Sequence, residues 1–284
     1  MASVGPLFAS PRPPHPAAAE CTQRPHHSTG NLIKDHAVSR KKVGSAGDAV
    51  RASRPMSTGA AVGFTVAVLV IANVVNNRWA PGFGVLTAVV FSVLLLGVLF
   101  RSGGTWADAG MGAATLKRGA LWAVVLIGLV GVGYAVAALL PVTRGLFADE
   151  RYGGLTGGQV ALRVLVAVPV GTVLLEEIAF RGVLYGLVRR ARGAVWATVV
   201  SSVLFGVWHV LPSLGLAVDK PALTPLFGRS VAGAVIAVVA AVLFTGAAGV
   251  LFCELRRRSG SLLAPMGLHW AVNAFGYLVG FLLR

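Results

Sequence analysis

Two adjacent glutamates, Glu176 and Glu177, stand inside an apolar run from Val164 to Tyr185, and Arg181 follows one helical turn after the second. A carboxylate at bilayer depth costs roughly 2.5 to 3.5 kcal/mol even on lenient insertion scales. Two in succession point to a function that justifies the cost. Two histidines lie in other apolar runs: His209 closes Phe205-Gly-Val-Trp-His209, and His269 opens His269-Trp-Ala-Val-Asn273. The other four histidines, His26 and His27 among them, lie in the first 57 residues and read as solvated.

A carboxylate held in an apolar surround is a stronger base toward water than a solvated one. A neutral imidazole and an Asn amide can donate hydrogen bonds to a developing oxyanion, where a dry site strengthens them. Base, water and oxyanion donors are the parts of a hydrolase that needs no Ser or Cys nucleophile. Adjacent residues point about 100° apart on a helix of about 3.6 residues per turn, so the two glutamates are not expected to look into one site. Glu177 pairs naturally with Arg181 as an i,i+4 bridge, a structural role. Glu176 is left to face His209 and the His269–Asn273 pair.

A zinc ion is the competing reading, with Glu176, His209 and His269 as ligands and one position open. No His-Glu-x-x-His pair lies on one helix, and the reading favours a metal-free site without a cofactor. Trp208 and Trp270 read as packing or cavity wall, Phe205 as packing one turn below His209. Ser201, Ser202, Thr172 and Thr245 read as helix-packing residues.

Positioning such groups requires spanning helices. Hydrophobic residues make up 56% of the chain and charged residues 12%, against about 25% charged in a soluble domain. Seven apolar segments are expected to span, near 59–76, 84–100, 119–140, 160–187, 194–216, 231–253 and 261–283, each about 20 residues long. The fold class is therefore all-α: a polytopic bundle of about seven transmembrane helices around a polar cavity, in a domain 58–284. Residues 1–57, rich in Pro, Ser, Ala, His and Arg, read as a disordered basic cytoplasmic tail with no secretory signal.

The net charge of +15 resides in the tail and short loops, and no aromatic-basic surface accompanies it, which excludes nucleic acid as a partner. Basic residues alternate between richer and poorer loops, placing the N-terminus in the cytoplasm and the C-terminus outside. On that rule the turns Arg189-Arg190-Ala-Arg192 and Arg256-Arg257-Arg258 face the cytoplasm. Cys21 and Cys253 occupy unlike settings, so neither a disulfide nor a Cys-based metal site is expected. Gly276 and Gly280 form a GxxxG that packs one helix closely on another.

The motifs Glu176-Glu177-x-x-x-Arg181, Phe205-x-x-x-His209 and His269-x-x-x-Asn273, in this order on separate spanning segments, resemble those of the CPBP intramembrane proteases, the CAAX-protease and bacteriocin-processing family. The resemblance covers about residues 160–280. It implies a helical bundle whose catalytic cavity opens toward the cytosol, and peptide-bond hydrolysis by glutamate-activated water. By it Glu176 activates the water with help from His209, His269 and Asn273 stabilise the oxyanion, and Glu177 and Arg181 support the site. The implied partners are a membrane-associated protein or peptide substrate and the lipid bilayer. The competing functions are a bacteriocin-type immunity protein, a proton-coupled carrier, or a non-catalytic scaffold built on the same buried groups.

Overall fold

The computed structural model describes residues 55–147, 154–214, 227–228 and 230–284. The expected basic tail, apart from residues 55–57, lies outside them, as does Cys21. Among the described residues every regular element is helical. Helix α1 spans Thr58–Val74, with Ser57 Oγ accepting from the Ala60 amide at its start, and a wide π-turn, Val75–Trp79, continues it. Helix α2 is Gly84–Arg101 and α3 is Ala113–Leu139. Helix α4 runs from 157 to 192 and opens on a capping box in which Thr156 and Gln159 bond each other's backbone amides.

Gly193, at φ 84°, breaks the helix and starts α5, 194–208. That left-handed conformation favours glycine because a Cβ would clash there. Helix α6, Val231–Ser259, begins with Ser230 bonding the Gly233 amide and ends at Gly260, again left-handed at φ 72°. Helix α7 is Leu263–Leu282.

Five stretches among the described residues are long and apolar enough to cross a membrane: Thr58–Trp79, Pro81–Arg101, Ala113–Leu139, Gly157–Trp208 and Val231–Ser259. The count differs from the expected seven for two physical reasons. The fourth and fifth segments form one 52-residue stretch interrupted only at Gly193. The seventh, Leu263–Leu282, is a helix of spanning length whose polar residues, His269 and Asn273 among them, dilute its hydropathy. The chain is a multi-pass membrane protein. Valines, leucines and phenylalanines lie exposed along α2, α3 and α6, as expected of surface that meets acyl chains rather than water.

The core gathers α1, α2, the second half of α4, α5 and the C-terminal part of α6, including Leu95, Leu99, Phe180, Leu184, Phe205 and Phe252. Helix α3 lies outside this core, against α7, where small residues permit close approach. A Cβ built at Gly267 would lie 2.6 Å from the Ala123 Cβ and 2.8 Å from its Cα. The tight α3–α7 contact is thus at Gly267, whereas a Cβ at Gly276 would meet only the Tyr134 hydroxyl, at 3.6 Å.

Gly267→Ala is expected to destabilise the protein by about 1–3 kcal/mol, the usual range for overpacking. Gly128→Ala on α3, where a Cβ meets nothing within 4 Å, should leave the melting temperature in detergent unchanged. Equal melting temperatures for the two variants would refute this packing.

Candidate active site

The pair Glu176–Glu177 sits between two wide-turned stretches of α4, Arg163–Leu174 and Glu177–Leu184, both with π-type hydrogen bonding. Pro169 lies inside the first and lacks the N–H that a regular helix would use. Such π segments recur at functional sites because they re-aim side chains without breaking the helix.

Glu177 and Arg181 are both fully buried, and Arg181 Nη1 donates to Glu177 Oε1 at 3.1 Å. His269 Nδ1 approaches the same oxygen at 2.8 Å. With Glu177 ionised against Arg181, Nδ1 is the donor in that bond, and the other ring nitrogen turns toward Glu176. His269 Nε2 and Glu176 Oε2 are 3.8 Å apart, too far for a hydrogen bond but close enough for strong electrostatic contact. Both glutamates therefore meet one residue of α7, contrary to the divergence expected from regular helical geometry. The wide turns beside the pair alter the angle, and the two nitrogens of one imidazole span what remains.

Glu176 Oε1 accepts from Trp208 Nε1 at 3.0 Å, while Oε2 is buried and has no hydrogen-bond partner among the described residues. Trp208 is thus a ligand of the carboxylate as well as a wall. Asn73 Nδ2 in turn donates to the Trp208 carbonyl at 2.8 Å, tying α1 to the end of α5. The Arg181 guanidinium lies 3.8 Å from the Phe205 ring centroid and 4.7 Å from that of Phe252. Cation–π contacts of this kind contribute about 2 kcal/mol when desolvated, which offsets part of the burial of its unpaired Nε and Nη2.

His209 caps α5, and its Nδ1 lies 2.8 Å from the Phe205 carbonyl. A carbonyl only accepts, so Nδ1 carries the proton and Nε2 of the neutral ring is an acceptor. His269 follows the same logic through Glu177. With these tautomers neither neutral imidazole donates through Nε2, so the expected oxyanion hydrogen bonds call for a different protonation of the rings. A ring that donates there must hold a second proton.

Glu176, His209, His269 and Asn273 line one cavity of about 560 Å³, together with Trp208, Asn76, Asn77, Thr172 and Ser213. An adjoining pocket of about 360 Å³ shares Gly84, Gly171, Thr172 and Asn273 with it and extends to Arg163 and Tyr277. The four candidate residues are gathered, but no hydrogen bond among the described residues joins His209 or Asn273 to Glu176. Both imidazoles are anchored through Nδ1 as metal-bound histidines are. Yet no group of three or more His, Cys, Asp or Glu side chains able to hold an ion occurs among the described residues.

Several contributors escaped the sequence reading. Thr172 lines the cavity rather than a helix contact, and Trp208 bonds the carboxylate. Asn76, Asn77 and Ser213 also face the cavity, and the signal available for the asparagines was polarity at the end of an apolar segment. Phe205 behaves as expected, edge-on to His209 with ring centroids 4.7 Å apart. The cavity lies toward the end of the bundle where α1 finishes and α2 begins. The basic turns at 189–192 and 256–258 occupy the other end.

A buried carboxylate with one oxygen lacking a hydrogen-bond partner among the described residues, two imidazoles and an amide thus surround one cavity. Residues 158–275, under half of the chain, match the family model described as Type II CAAX prenyl endopeptidase Rce1-like. This segment is similar to that family of membrane endopeptidases. No curated protein and no solved structure matches the chain.

Arg181→Met leaves Glu177 buried without its cation, and breaking such a pair typically costs about 3–5 kcal/mol. The double variant Arg181→Met/Glu177→Gln should recover part of that loss, as measured by thermal melting in detergent. Equal stability of Arg181→Met and the unmodified protein would contradict the pairing described.

Proposed function

We propose that this cavity hydrolyses a peptide bond in a membrane-associated protein or peptide, with Glu176 as the base that activates water. The observation that carries the reading is the Glu176 carboxylate itself: Trp208 fixes Oε1, while Oε2, beside His269, has no hydrogen-bond partner among the described residues. In the proposed step, Oε2 takes a proton from water as its oxygen attacks the scissile carbonyl, and the protonated carboxyl then passes that proton to the leaving amine. His209, an acceptor at Nε2, orients the water. The Asn273 amide, and His269 when doubly protonated, donate to the oxyanion.

Glu177 and Arg181 act through His269 by fixing its ring. No step runs through a metal. The family description supports a prenylated CAAX protein as one substrate class, and comparing farnesylated with unmodified peptides decides whether the lipid is required.

Glu176→Gln should lower cleavage at least about 10²- to 10⁴-fold, the range lost with a general base, without changing the melting temperature. Trp208→Phe removes one hydrogen bond to a charged group, worth about 1.5–3 kcal/mol, and should slow turnover about tenfold or more. Cleavage that survives in purified Glu176→Gln rules the mechanism out. Activity that persists under strong chelation yet vanishes in that variant separates it from zinc catalysis.

The charge asymmetry supports an orientation with the basic turns in the cytoplasm and the cavity mouth on the outer face. This departs from the cytosolic opening that family resemblance implies. In a background lacking Cys21 and Cys253, a membrane-impermeant maleimide applied to whole cells should label Gly82→Cys at the mouth and spare Arg192→Cys. The reverse labelling would turn the protein over.

A further inference from the structure

A second pocket of about 250 Å³ lies at the basic end of the bundle, lined among others by Gly112, Thr115, Tyr185, Arg189, Arg256 and Arg257. Its lining includes three arginines and no acidic side chain. The Tyr185 side chain is 1% exposed and Arg256 4%, and the Tyr185 hydroxyl and Arg256 Nε have no hydrogen-bond partner among the described residues. Leaving a buried polar group unsatisfied costs about 1–3 kcal/mol, so two donors left open beside one pocket ask for an acceptor.

The backbone contributes as well. Gly112 and Thr115 belong to the start of α3, a helix of 27 residues whose N-terminus carries no side-chain cap. Its first amides and the positive end of its dipole bear on the same space, as in helix-terminal anion sites.

The neighbouring charges favour an anion. Arg256 Nη2 is held by the Ala107 and Asp108 carbonyls, which are neutral acceptors, and no carboxylate is hydrogen-bonded to it among the described residues. Arg189 reaches Asp108 only at 3.5 Å, and Arg257 is paired with Glu254 on its own helix. Among the described residues, nine basic ones, Arg101, Lys117, Arg118, Arg189, Arg190, Arg192 and Arg256 to Arg258, share this end with the acidic Asp108 and Glu254 alone. The volume falls just below the roughly 300–1,000 Å³ of pockets for whole small molecules, a size suited to a phosphate group rather than an entire lipid.

We infer that this pocket binds a phosphate group, held by the Tyr185 hydroxyl, Arg189, Arg256 and Arg257 and the first turn of α3. The phosphate is either that of an anionic lipid headgroup at the membrane surface or a free one. The site is separate from the cavity of Glu176 and does not rest on the proteolytic reading.

The test uses the full chain, purified and placed in nanodiscs of phosphatidylcholine with or without phosphatidylglycerol, and separately titrated with inorganic phosphate. Tyr185→Phe removes one hydroxyl, and Arg189→Gln removes one rim charge; both spare the Arg256 contacts that hold the 105–110 loop. Each should weaken binding about tenfold without altering the fold seen by circular dichroism. Loss of phosphatidylglycerol enrichment around the variants, read by native mass spectrometry, identifies a lipid phosphate. A matching loss for inorganic phosphate alone identifies a free one. Unchanged binding of both probes in both variants, or no binding of either by the unmodified protein, overturns the site.

Discussion

The Glu177 carboxylate is the point on which the site depends. One of its oxygens receives both the Arg181 guanidinium and the His269 imidazole, and all three groups are buried or nearly so. A charge in this setting is tolerable only while it is paired, so α4 and α7 are held in one register wherever Glu177 is ionised. Fixing Nδ1 of His269 also fixes where Nε2 points, which is toward Glu176. The second carboxylate therefore inherits its electrostatic surroundings from the first.

The surrounding packing follows from the need to keep that oxygen dry. Phe205 and Phe252 both contact the Arg181 guanidinium, and Phe180 meets Phe205 and Trp208 edge-on. Trp208 then turns its indole N–H to Glu176, so the aromatic cluster seals the structural pair and orients the reactive one. Ser201 bonds the Phe180 carbonyl at 2.9 Å, fastening α5 to α4 within the wide-turned segment. That carbonyl also accepts the Tyr185 amide of its own helix, so Ser201 adds a second donor from the neighbouring one.

Much of this arrangement was legible in the sequence because intramembrane polar groups are few and must find each other. Helix content, the membrane class, the Glu177–Arg181 bridge and the gathering of Glu176, His209, His269 and Asn273 around one cavity all follow from that constraint. What could not be read is what depends on backbone departure from the regular helix. The π-turns around Pro169 and Glu177 bring both glutamates to His269, whereas a period of about 3.6 residues separates them. The donation from Trp208 was hidden for a related reason. Trp is common as filler, and only the kinked path from α4 through Gly193 into α5 brings its indole N–H to the carboxylate. Tautomers were equally invisible, since they are set by partners as local as the Phe205 carbonyl.

The long segment from Gly157 to Trp208 explains why the two ends of the bundle differ in kind. Its first half carries the cavity, where polar groups are neutral or paired and water must be rationed to one carboxylate oxygen. Past Arg181 the same helix emerges among arginines, turns at Gly193, and returns to deliver Trp208 and His209 to the cavity it left. The two helices of this hairpin, fastened to each other through Ser201, therefore carry both the basic turn and the groups on either side of Glu176. The α4–α5 hairpin thus joins the proposed base to the charged end of the bundle in one continuous unit, interrupted only at Gly193.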